Sequence, residues 1–251
     1  MSDLLDGDLV IEGRIMPASN HTYAARLGST QVVYKPSAGE RPLWDFPDGN
    51  LAQRELAAYV VSESLGWAIV PETVLRDGPA GPGMVQRWCD PDGPPVVDVV
   101  AAGAIAFGWR HVVDGEGARG EPVSLVHEDS EGLRRMALFD LITNNTDRKG
   151  GHILSMADGR RLGVDHGICF HTDDKVRTVL WGWAGSALSD QEHEHLLRLR
   201  RSLEARVGET LATLLTPAEV AATTRRLDRL LEQLRFPLPS HDWPAIPWPP
   251  F

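Results

Sequence analysis

Cysteine is almost absent from this chain, which carries only Cys89 and Cys169 among its 251 residues. Two cysteines cannot build a disulfide framework, so a reducing cytoplasm is the simpler setting. Long apolar runs are also missing, because the most apolar segment, Val99 to Trp109, covers eleven residues and a membrane-spanning helix needs about 20. The N-terminus is acidic where a secretory signal is basic. We therefore expect a cytoplasmic protein with no integral membrane association.

Basic residues are also fewer than acidic residues in this chain. The chain has 25 Lys and Arg against 35 Asp and Glu, a net charge of −10, which argues against a nucleic-acid partner held by bulk charge. Three common catalytic motifs do not occur: G-x-x-x-x-G-K-[ST], G-x-S-x-G and H-E-x-x-H. Their absence excludes P-loop NTPases, α/β-hydrolases and zincins. Hydrophobic residues make up 42 % of the chain, enough for a folded core.

The hydrophobic pattern changes along the chain. Short apolar runs separated by turn residues predict antiparallel strands in the first 90 residues, three of them between residues 8 and 35. A helix is predicted to begin at Asn50, a good N-cap residue, and to stop before Gly66. The remainder has mostly helical periodicity. We predict an α+β fold of two lobes, a β-rich N-lobe over 1–90 that binds nucleotide and a mostly helical C-lobe over 91–251.

Two aspartates mark the places where chemistry is most strongly indicated. Asp147 lies in the polar loop N-N-T-D-R-K-G-G-H, and Asp165 follows eighteen residues later in V-D-H-G-I-C-F, at the end of a predicted hairpin. Carboxylates at adjacent strand ends can face one cleft. There, Asp147 would orient or deprotonate an acceptor hydroxyl, and Asp165 would hold a divalent cation against phosphate oxygens. The alternative is that each aspartate only caps a turn.

Lys35 and Glu55 extend this pair to a set of four. Lys35 ends an early strand, where its ammonium can bind nucleotide phosphates, and Glu55 follows on a helix, where its carboxylate can hold the lysine by an ion pair. Alternatively, both are solvated surface charges. The order Lys, Glu, Asp, Asp is that of protein-kinase-like folds. We therefore predict a bilobal protein-kinase-like fold with ATP between the lobes.

Four short segments carry a family resemblance: Y-K-P at Tyr34 to Pro36, Q-R-E-L-A-A-Y at Gln53 to Tyr59, N-T-D-R at Asn145 to Arg148, and V-D-H-G-I-C-F at Val164 to Phe170. Together they resemble the phosphatidylinositol 3- and 4-kinase superfamily, in particular its compact type II-like branch and the related HipA-like kinases. More narrowly, the chain is similar to an uncharacterised actinobacterial family of kinase-like proteins. The resemblance spans residues 9–183 and does not cover the substrate-recognition regions.

The resemblance implies a role for each of the four charged residues. Lys35 would bind the phosphates of ATP, and Glu55 would orient Lys35. Asp147 would be the catalytic aspartate, and Asp165 would bind Mg²⁺. We add Lys149 to the catalytic group, because it lies beside the point of transfer.

By their position beside the presumed point of transfer, and not through the resemblance, Arg148 and Lys149 can neutralise a phosphorylated acceptor; the alternative is that both are only exposed loop residues. Further residues follow from the same resemblance. A loop that covers the β- and γ-phosphates with its N–H groups is expected at Ser19, Asn20, His21 and Thr22. Backbone groups that face adenine are expected at Gln86, Arg87 and Trp88.

One position departs from the family pattern. Five residues after Asp147 the family places a metal-binding asparagine, and this chain has His152. Imidazole nitrogen is a ligand that Mn²⁺ accepts more readily than Mg²⁺. Three interpretations stay open: His152 binds a metal other than Mg²⁺, it only forms hydrogen bonds within the loop, or the site has lost part of its catalysis.

The sequence as a whole predicts a phosphotransferase that depends on ATP and on Mg²⁺ or Mn²⁺ and acts on a hydroxyl of a small molecule or a protein. Two other hypotheses stay open. One is a non-catalytic nucleotide-binding module that regulates a partner, and the other is a kinase-fold enzyme that transfers AMP.

Overall fold

The computed structural model describes residues 2–16, 20–41, 43–46 and 50–251. Strands predominate up to residue 128 and helices predominate after it. The α+β prediction is confirmed, whereas the division into two lobes at residue 90 stays a prediction. Within the described ranges, no helix has both the length and the apolar character that crossing a membrane requires.

Five antiparallel strands form the N-terminal sheet, in the order β1-β2-β3-β5-β4. They are β1 (Leu9–Arg14), β2 (Tyr23–Leu27), β3 (Thr30–Pro36), β4 (Thr73–Gly78) and β5 (Gly81–Arg87). Val32 and Tyr34 of β3 are buried in an apolar cluster on one face of this sheet. Because side chains alternate along a strand, Lys35 projects from the opposite face. The three strands predicted up to Lys35 are confirmed.

Strands β3 and β5 approach each other closely beside Lys35. Lys35 pairs with Met84 on β5. A Cβ atom added to the neighbouring Gly83 would lie 2.4 Å from the carbonyl oxygen of Lys35. A glycine is therefore required there, and the backbone that carries Lys35 is held tightly by its neighbour strand.

Helix α1 (Leu51–Leu65) follows the first three strands. It ends as predicted, with Gly66 in the left-handed conformation at φ 68°. It also begins where predicted, with Asn50 at the N-cap position, but the Asn50 side chain makes no capping bond. Instead, the carboxylate of Glu40 accepts hydrogen bonds from the first two N–H groups of the helix, at 3.1 and 2.9 Å. A carboxylate from outside the helix thus satisfies these donors and complements the helix dipole.

A second sheet occupies the stretch in which the sequence showed no clear element. Its strands are β6 (Val97–Ala101), β7 (Trp109–Glu116) and β8 (Pro122–Glu128), antiparallel in the order β6-β8-β7. Most residues of β6 and β7 are exposed or half-buried, and the β7–β8 register shifts between His111 and Val113. Without a buried face on these two strands, the sequence lacks the alternation from which strands are recognised.

The C-terminal part is mainly helical. Ser130 caps α2 by accepting a hydrogen bond from the N–H of Leu133, as its place before an amphipathic segment indicates. The predicted hairpin is confirmed, and the later helical periodicity corresponds to separate helices with a break at Glu204 and Ala205. The elements are α2 (Glu131–Thr143), β9 (Ile153–Ser155), β10 (Arg161–Gly163), α3 (Asp190–Leu203), α4 (Arg206–Leu214) and α5 (Pro217–Gln233).

A large apolar core joins α1 to the helices that follow it in the sequence. Val61 and Leu65 of α1 belong to the same buried cluster as Met136 of α2, Leu196 of α3 and Leu227 of α5. Burying such side chains contributes roughly 1.5–3 kcal/mol each. This packing fixes α1, and with it Glu55, against the part of the chain that carries Asp147 and Asp165.

Candidate active site

Lys35, Glu55 and Asp165 meet in one charged cluster. The Nζ atom of Lys35 lies 2.7 Å from Oε1 of Glu55 on α1. It also lies 2.7 Å from Oδ1 of Asp165 in the loop after β10. Asp147 is connected to the cluster through His152, which contacts the backbone of Asp147 and faces Asp165. The structure thus brings together the four charged residues that the sequence singled out.

Charge pairing determines the ionisation of this cluster. Burial lowers the pKa of the Lys35 ammonium, but Asp165 and Glu55 outweigh it and the net pKa is raised. The positive charge of Lys35 lowers the pKa of Asp165, against the opposing effect of burial. Both side chains are therefore charged at neutral pH. The Asp165 side chain is 54 % exposed and open to a ligand.

Glu55 connects the N-terminal sheet to the loop that carries Asp165. Its side chain is only 2 % exposed. Oε1 binds Lys35, and Oε2 accepts a hydrogen bond from the N–H of His166 at 2.9 Å. Asp165 itself has φ 63°, a left-handed conformation that costs energy for a non-glycine residue. Glu55 therefore helps to hold Asp165 in a geometry that the local sequence does not favour.

Arg148 organises the loops beneath the cluster. Its guanidinium and the Asp140 carboxylate of α2 are both fully buried, and they lie 2.9 Å apart. The same guanidinium donates to the carbonyl of Val164 at 3.2 Å and to Nε2 of His166 at 2.7 Å. The expectation that Arg148 neutralises an acceptor is therefore wrong, because the side chain is enclosed and its charge is balanced by Asp140.

His166 is buried and neutral. Arginine only donates, so Nε2 of His166 accepts from Arg148 and Nδ1 carries the proton. Burial, reinforced by the charge of Arg148, holds the pKa of His166 well below its ordinary value. Nδ1 is buried and has no hydrogen-bond partner among the described residues, with Oε2 of Glu55 at 3.9 Å. His166 is thus a packed structural member of the site.

His152 presents an unprotonated nitrogen to Asp165. Its Nδ1 lies 2.9 Å from the carbonyl oxygen of Asp147. A carbonyl only accepts, so Nδ1 donates and Nε2 has a free lone pair in the neutral ring. Burial lowers the pKa of His152, although Asp165 opposes this effect. Nε2 lies 3.6 Å from Oδ2 of Asp165, so two electron-rich atoms face each other.

This donor set fits a divalent cation that is bound together with phosphate. Oδ2 of Asp165 and Nε2 of His152 are both acceptors, and a cation between them relieves their repulsion. The described residues contain no group of three or more His, Cys, Asp or Glu that can hold a metal alone. Mg²⁺ in such sites takes one or two carboxylates and completes its shell with phosphate oxygens and water. The assignment of Asp165 and His152 as metal ligands stays a prediction.

Asp147 lies in a partly desolvated position beside a lysine. Burial raises its pKa, and the positive charge of Lys149 opposes that rise without cancelling it. Nζ of Lys149 lies 3.6 Å from Oδ2 of Asp147. The N–H of Asp147 donates to Oδ1 of Asn145 at 3.0 Å, which fixes the turn. A positioned carboxylate with a raised pKa is suited to accept a proton.

The predicted phosphate loop lies against segment 37–41, which follows β3. The N–H of His21 donates to a carbonyl of that segment at 3.3 Å. The side-chain oxygen of Asn20 accepts a hydrogen bond from a backbone N–H of segment 37–41 at 2.9 Å. The Thr22 hydroxyl donates to the carbonyl of Asn20 at 3.4 Å. Ser19 lies outside the described residues. The amide of His21 is therefore already used, and the role of the loop stays a prediction.

The predicted adenine-facing residues lie at the end of β5. Gln86 is buried and donates through Nε2 to the hydroxyl of Thr73 at 2.9 Å. The N–H groups of Arg87 and Trp88 donate to the backbone carbonyls of Glu72 and Gln31, at 2.9 and 3.0 Å. These two amides are thus occupied within the sheet. The contact with adenine stays a prediction, and it falls on backbone groups other than these two.

Two cavities of ligand size lie away from the charged cluster. One, of about 430 Å³, is lined by α5 and the C-terminal tail, including Trp181, Arg226 and Trp243. The other, of about 580 Å³, lies between the start of α1 and the β4–β5 hairpin. Neither is lined by Lys35, Asp147 or Asp165. In the cluster, the side chain of Asp165 is the part that is exposed to solvent.

Sequence reasoning missed three residues of the site. Asp140 interrupts the buried run A-L-F-D-L-I-T of α2, and a charge in such a run signals a buried ion pair. His166 follows Asp165 in V-D-H-G-I-C-F, and no pattern in the sequence indicates that its ring is buried against Arg148. Arg177 gave no signal, because its backbone pairs with the loop around Asp147 only in the folded chain.

Comparison with known proteins places the chain in a family. No protein-family model matches it. It is 48 % identical to Protein Rv2133c of Mycobacterium tuberculosis over 262 residues, which covers 99 % of this chain and 94 % of the relative. This α+β protein, with its cluster of one lysine and several acidic groups, therefore belongs to the family of Protein Rv2133c.

A solved structure gives a weaker likeness. The crystal structure of the Helicobacter pylori proinflammatory kinase CtkA matches with a TM-score of 0.48 and 11 % identity, over 92 % of this chain and 94 % of that chain. Both values are too low to support a conclusion about function.

Proposed function

We propose that this protein transfers the γ-phosphoryl group of ATP to a hydroxyl of a small molecule or protein, with Mg²⁺ or Mn²⁺ as cofactor. The observation that carries this proposal is the position of Lys35 between Glu55 and Asp165, at 2.7 Å from each. A buried glutamate that holds a lysine next to an exposed aspartate is an arrangement suited to a triphosphate and its counter-cation.

Each charged group has a distinct task in this proposal. The ammonium of Lys35 binds phosphate oxygens, and Glu55 keeps it in place from the buried side. Asp165 and His152 would hold the cation, which when bound neutralises charge on the β- and γ-phosphates. Lys149, 3.6 Å from Asp147, lies where it can neutralise a phosphorylated acceptor.

Asp147 acts on the acceptor. Its carboxylate orients the attacking hydroxyl and takes its proton. The acceptor oxygen forms a bond to the γ-phosphorus while the bond from that phosphorus to the β,γ-bridging oxygen breaks, and ADP leaves. The backbone of Asp147 is held by Asn145 and His152, so the carboxylate is positioned before the acceptor arrives.

Incubation of the protein with ATP labelled at the γ- or the α-phosphate, with Mg²⁺ and Mn²⁺ tested separately, distinguishes this proposal from its rivals. We expect transfer or release of label from the γ-position only. Label transferred from the α-position would indicate AMP transfer, and binding without turnover would indicate a regulatory module.

The variant Asp147→Asn tests the assigned base. A positioned general base contributes about 10²–10⁴-fold, so turnover should fall by that factor while the affinity for ATP stays within about twofold. Asp158→Asn, in the exposed turn between β9 and β10, is the matched control. If Asp147→Asn kept turnover within a few-fold of wild type, the role of Asp147 would be wrong.

A further inference from the structure

Arg177 lies beside Asp147 in the folded chain, thirty residues further along the sequence. Its N–H donates to the carbonyl of Asn145 at 3.0 Å, and its carbonyl accepts from the N–H of Arg148 at 2.9 Å. These two bonds flank Asp147 on both sides in the chain. They fix the backbone of Arg177 next to the proposed base.

The guanidinium of Arg177 has no partner among the described residues. It forms no hydrogen bond or ion pair with them, and its Nε atom is buried without an acceptor. The side chain as a whole is only half-buried, so the guanidinium still reaches solvent. Other arginines of this region are paired, for example Arg148 with Asp140 and Arg226 with Asp174.

Arg177 and Lys149 place two positive charges around Asp147. Nζ of Lys149 lies 3.6 Å from Oδ2 of Asp147. The positive charge of Arg177 also acts on this carboxylate, in the same direction as that of Lys149. The phosphates of ATP have other partners in the proposed function, namely Lys35 and the cation at Asp165. In the proposed function, ATP therefore does not need the positive charge of Arg177 to balance the charge of its phosphates.

We propose that Arg177 and Lys149 form an anion-binding subsite for the phosphoryl acceptor, so that the acceptor carries a phosphate or carboxylate group close to its reactive hydroxyl. This inference rests on the proposed function, because it identifies the bound anion as part of the phosphoryl acceptor. The anion-binding subsite itself depends only on Arg177 and Lys149. The planar guanidinium donates two parallel N–H bonds, a geometry that matches phosphate and carboxylate oxygens. Local positive charge also offsets the repulsion that an anion meets at a protein of net charge −10.

The subsite can be tested without any activity. The Nε–H signal of Arg177 in ¹⁵N-arginine-labelled full-length protein is identified by its loss in Arg177→Lys. Inorganic phosphate and acetate are then titrated separately, with sodium chloride at matched ionic strength as the control for screening. We expect a saturable shift of this signal with phosphate, acetate or both, and the stronger of the two identifies the acceptor's anionic group.

Variants locate the anion. Charge-assisted hydrogen bonds are worth about 1.5–3 kcal/mol, so Lys149→Gln should weaken the stronger anion roughly tenfold or more. Arg201→Gln removes the same charge from the exposed surface of α3 and should leave the titration unchanged. A circular-dichroism melt of each variant confirms that it is folded.

Three results would overturn the inference. One is the absence of a saturable shift with either anion, and another is an equal shift with chloride. The third is a loss of ATP affinity in Arg177→Gln of roughly tenfold or more, which would assign Arg177 to the nucleotide. Failure of the proposed function looks different, because the wild-type protein would then bind no ATP while the anion still shifted the Arg177 signal.

Discussion

The ammonium of Lys35 lies 2.7 Å from the carboxylate of Asp165, although the two residues are 130 positions apart in the sequence. Glu55 approaches the same ammonium from its buried side. Lys35 and Glu55 thus form a fixed ion pair, and the exposed Asp165 is the third charged group in contact with Lys35. An incoming triphosphate with its cation can compete for both Lys35 and Asp165.

Glu55→Gln should lower phosphoryl transfer by about 10- to 100-fold, because it removes the charge that holds Lys35 and weakens a charge-assisted bond. The measurement is initial rate at saturating ATP. Glu63→Gln, on the exposed side of the same helix, is the control and should retain full rate. A rate for Glu55→Gln equal to that of the control would show that Lys35 needs no orienting partner.

His152→Asn should change the preference for metal. Wild-type protein presents an imidazole nitrogen beside Asp165, and nitrogen favours Mn²⁺ over Mg²⁺ relative to an amide oxygen. The ratio of the Mn²⁺ to the Mg²⁺ rate should therefore fall in the variant. Electron paramagnetic resonance of free Mn²⁺ provides a readout of binding without turnover. An unchanged Mn²⁺ affinity and an unchanged ratio would leave His152 as a hydrogen-bonding residue only.

Asp140→Asn should destabilise the protein by about 3–5 kcal/mol, since it leaves the buried charge of Arg148 without its carboxylate. The measurement is the free energy of unfolding in denaturant. The double variant Asp140→Asn with Arg148→Met removes the uncompensated charge and should recover part of the loss. A loss below about 1 kcal/mol in the single variant would contradict the assigned ion pair.

Stability should fall as the pH is lowered from about 6.5 to about 4, in part through His127. Burial lowers the pKa of His127 to about 4, and its Nε2 accepts a hydrogen bond from the N–H of Gly182 at 3.1 Å. The unfolded chain therefore binds a proton in this range that the folded chain does not, so the stability present above about pH 6.5 is lost towards pH 4. A difference of about 2.5 pKa units corresponds to about 3 kcal/mol.

His127→Gln should reduce this pH dependence. Unfolding in denaturant at several pH values between about 4 and 7 measures the slope for both proteins. His166, also buried with a lowered pKa, acts in the same direction and keeps some dependence in the variant. A slope in His127→Gln equal to that of wild type would show that His127 is not the titrating group.

The sequence predicts those features that depend on local pattern. The early strands, the end of α1 at Gly66 and the hairpin after the Asp147 loop follow from alternation and turn chemistry. Lys35, Glu55 and the two aspartates stand out by residue type and order. The β6–β8–β7 sheet was not predicted, because its exposed strands lack a periodic apolar face.

Features that depend on tertiary pairing lie beyond the sequence. Glu40 caps α1 from a distant turn in place of Asn50. The sequence indicates an exposed loop cation at Arg148, but in the folded chain its side chain is buried and paired with Asp140 of α2. Arg177 comes next to Asp147 through backbone bonds between two loops. None of these relationships has a period or spacing from which it can be read.

Calorimetric titration of ATP into the protein, with and without Mg²⁺, tests the central claim that Lys35 and Asp165 bind a triphosphate and a cation together. We expect Mg²⁺ to tighten ATP binding to wild type. Lys35→Met should weaken ATP about tenfold or more in both conditions, whereas Asp165→Asn should remove the effect of Mg²⁺. Equal ATP affinity in all three proteins, or no effect of Mg²⁺ on wild type, would contradict the account.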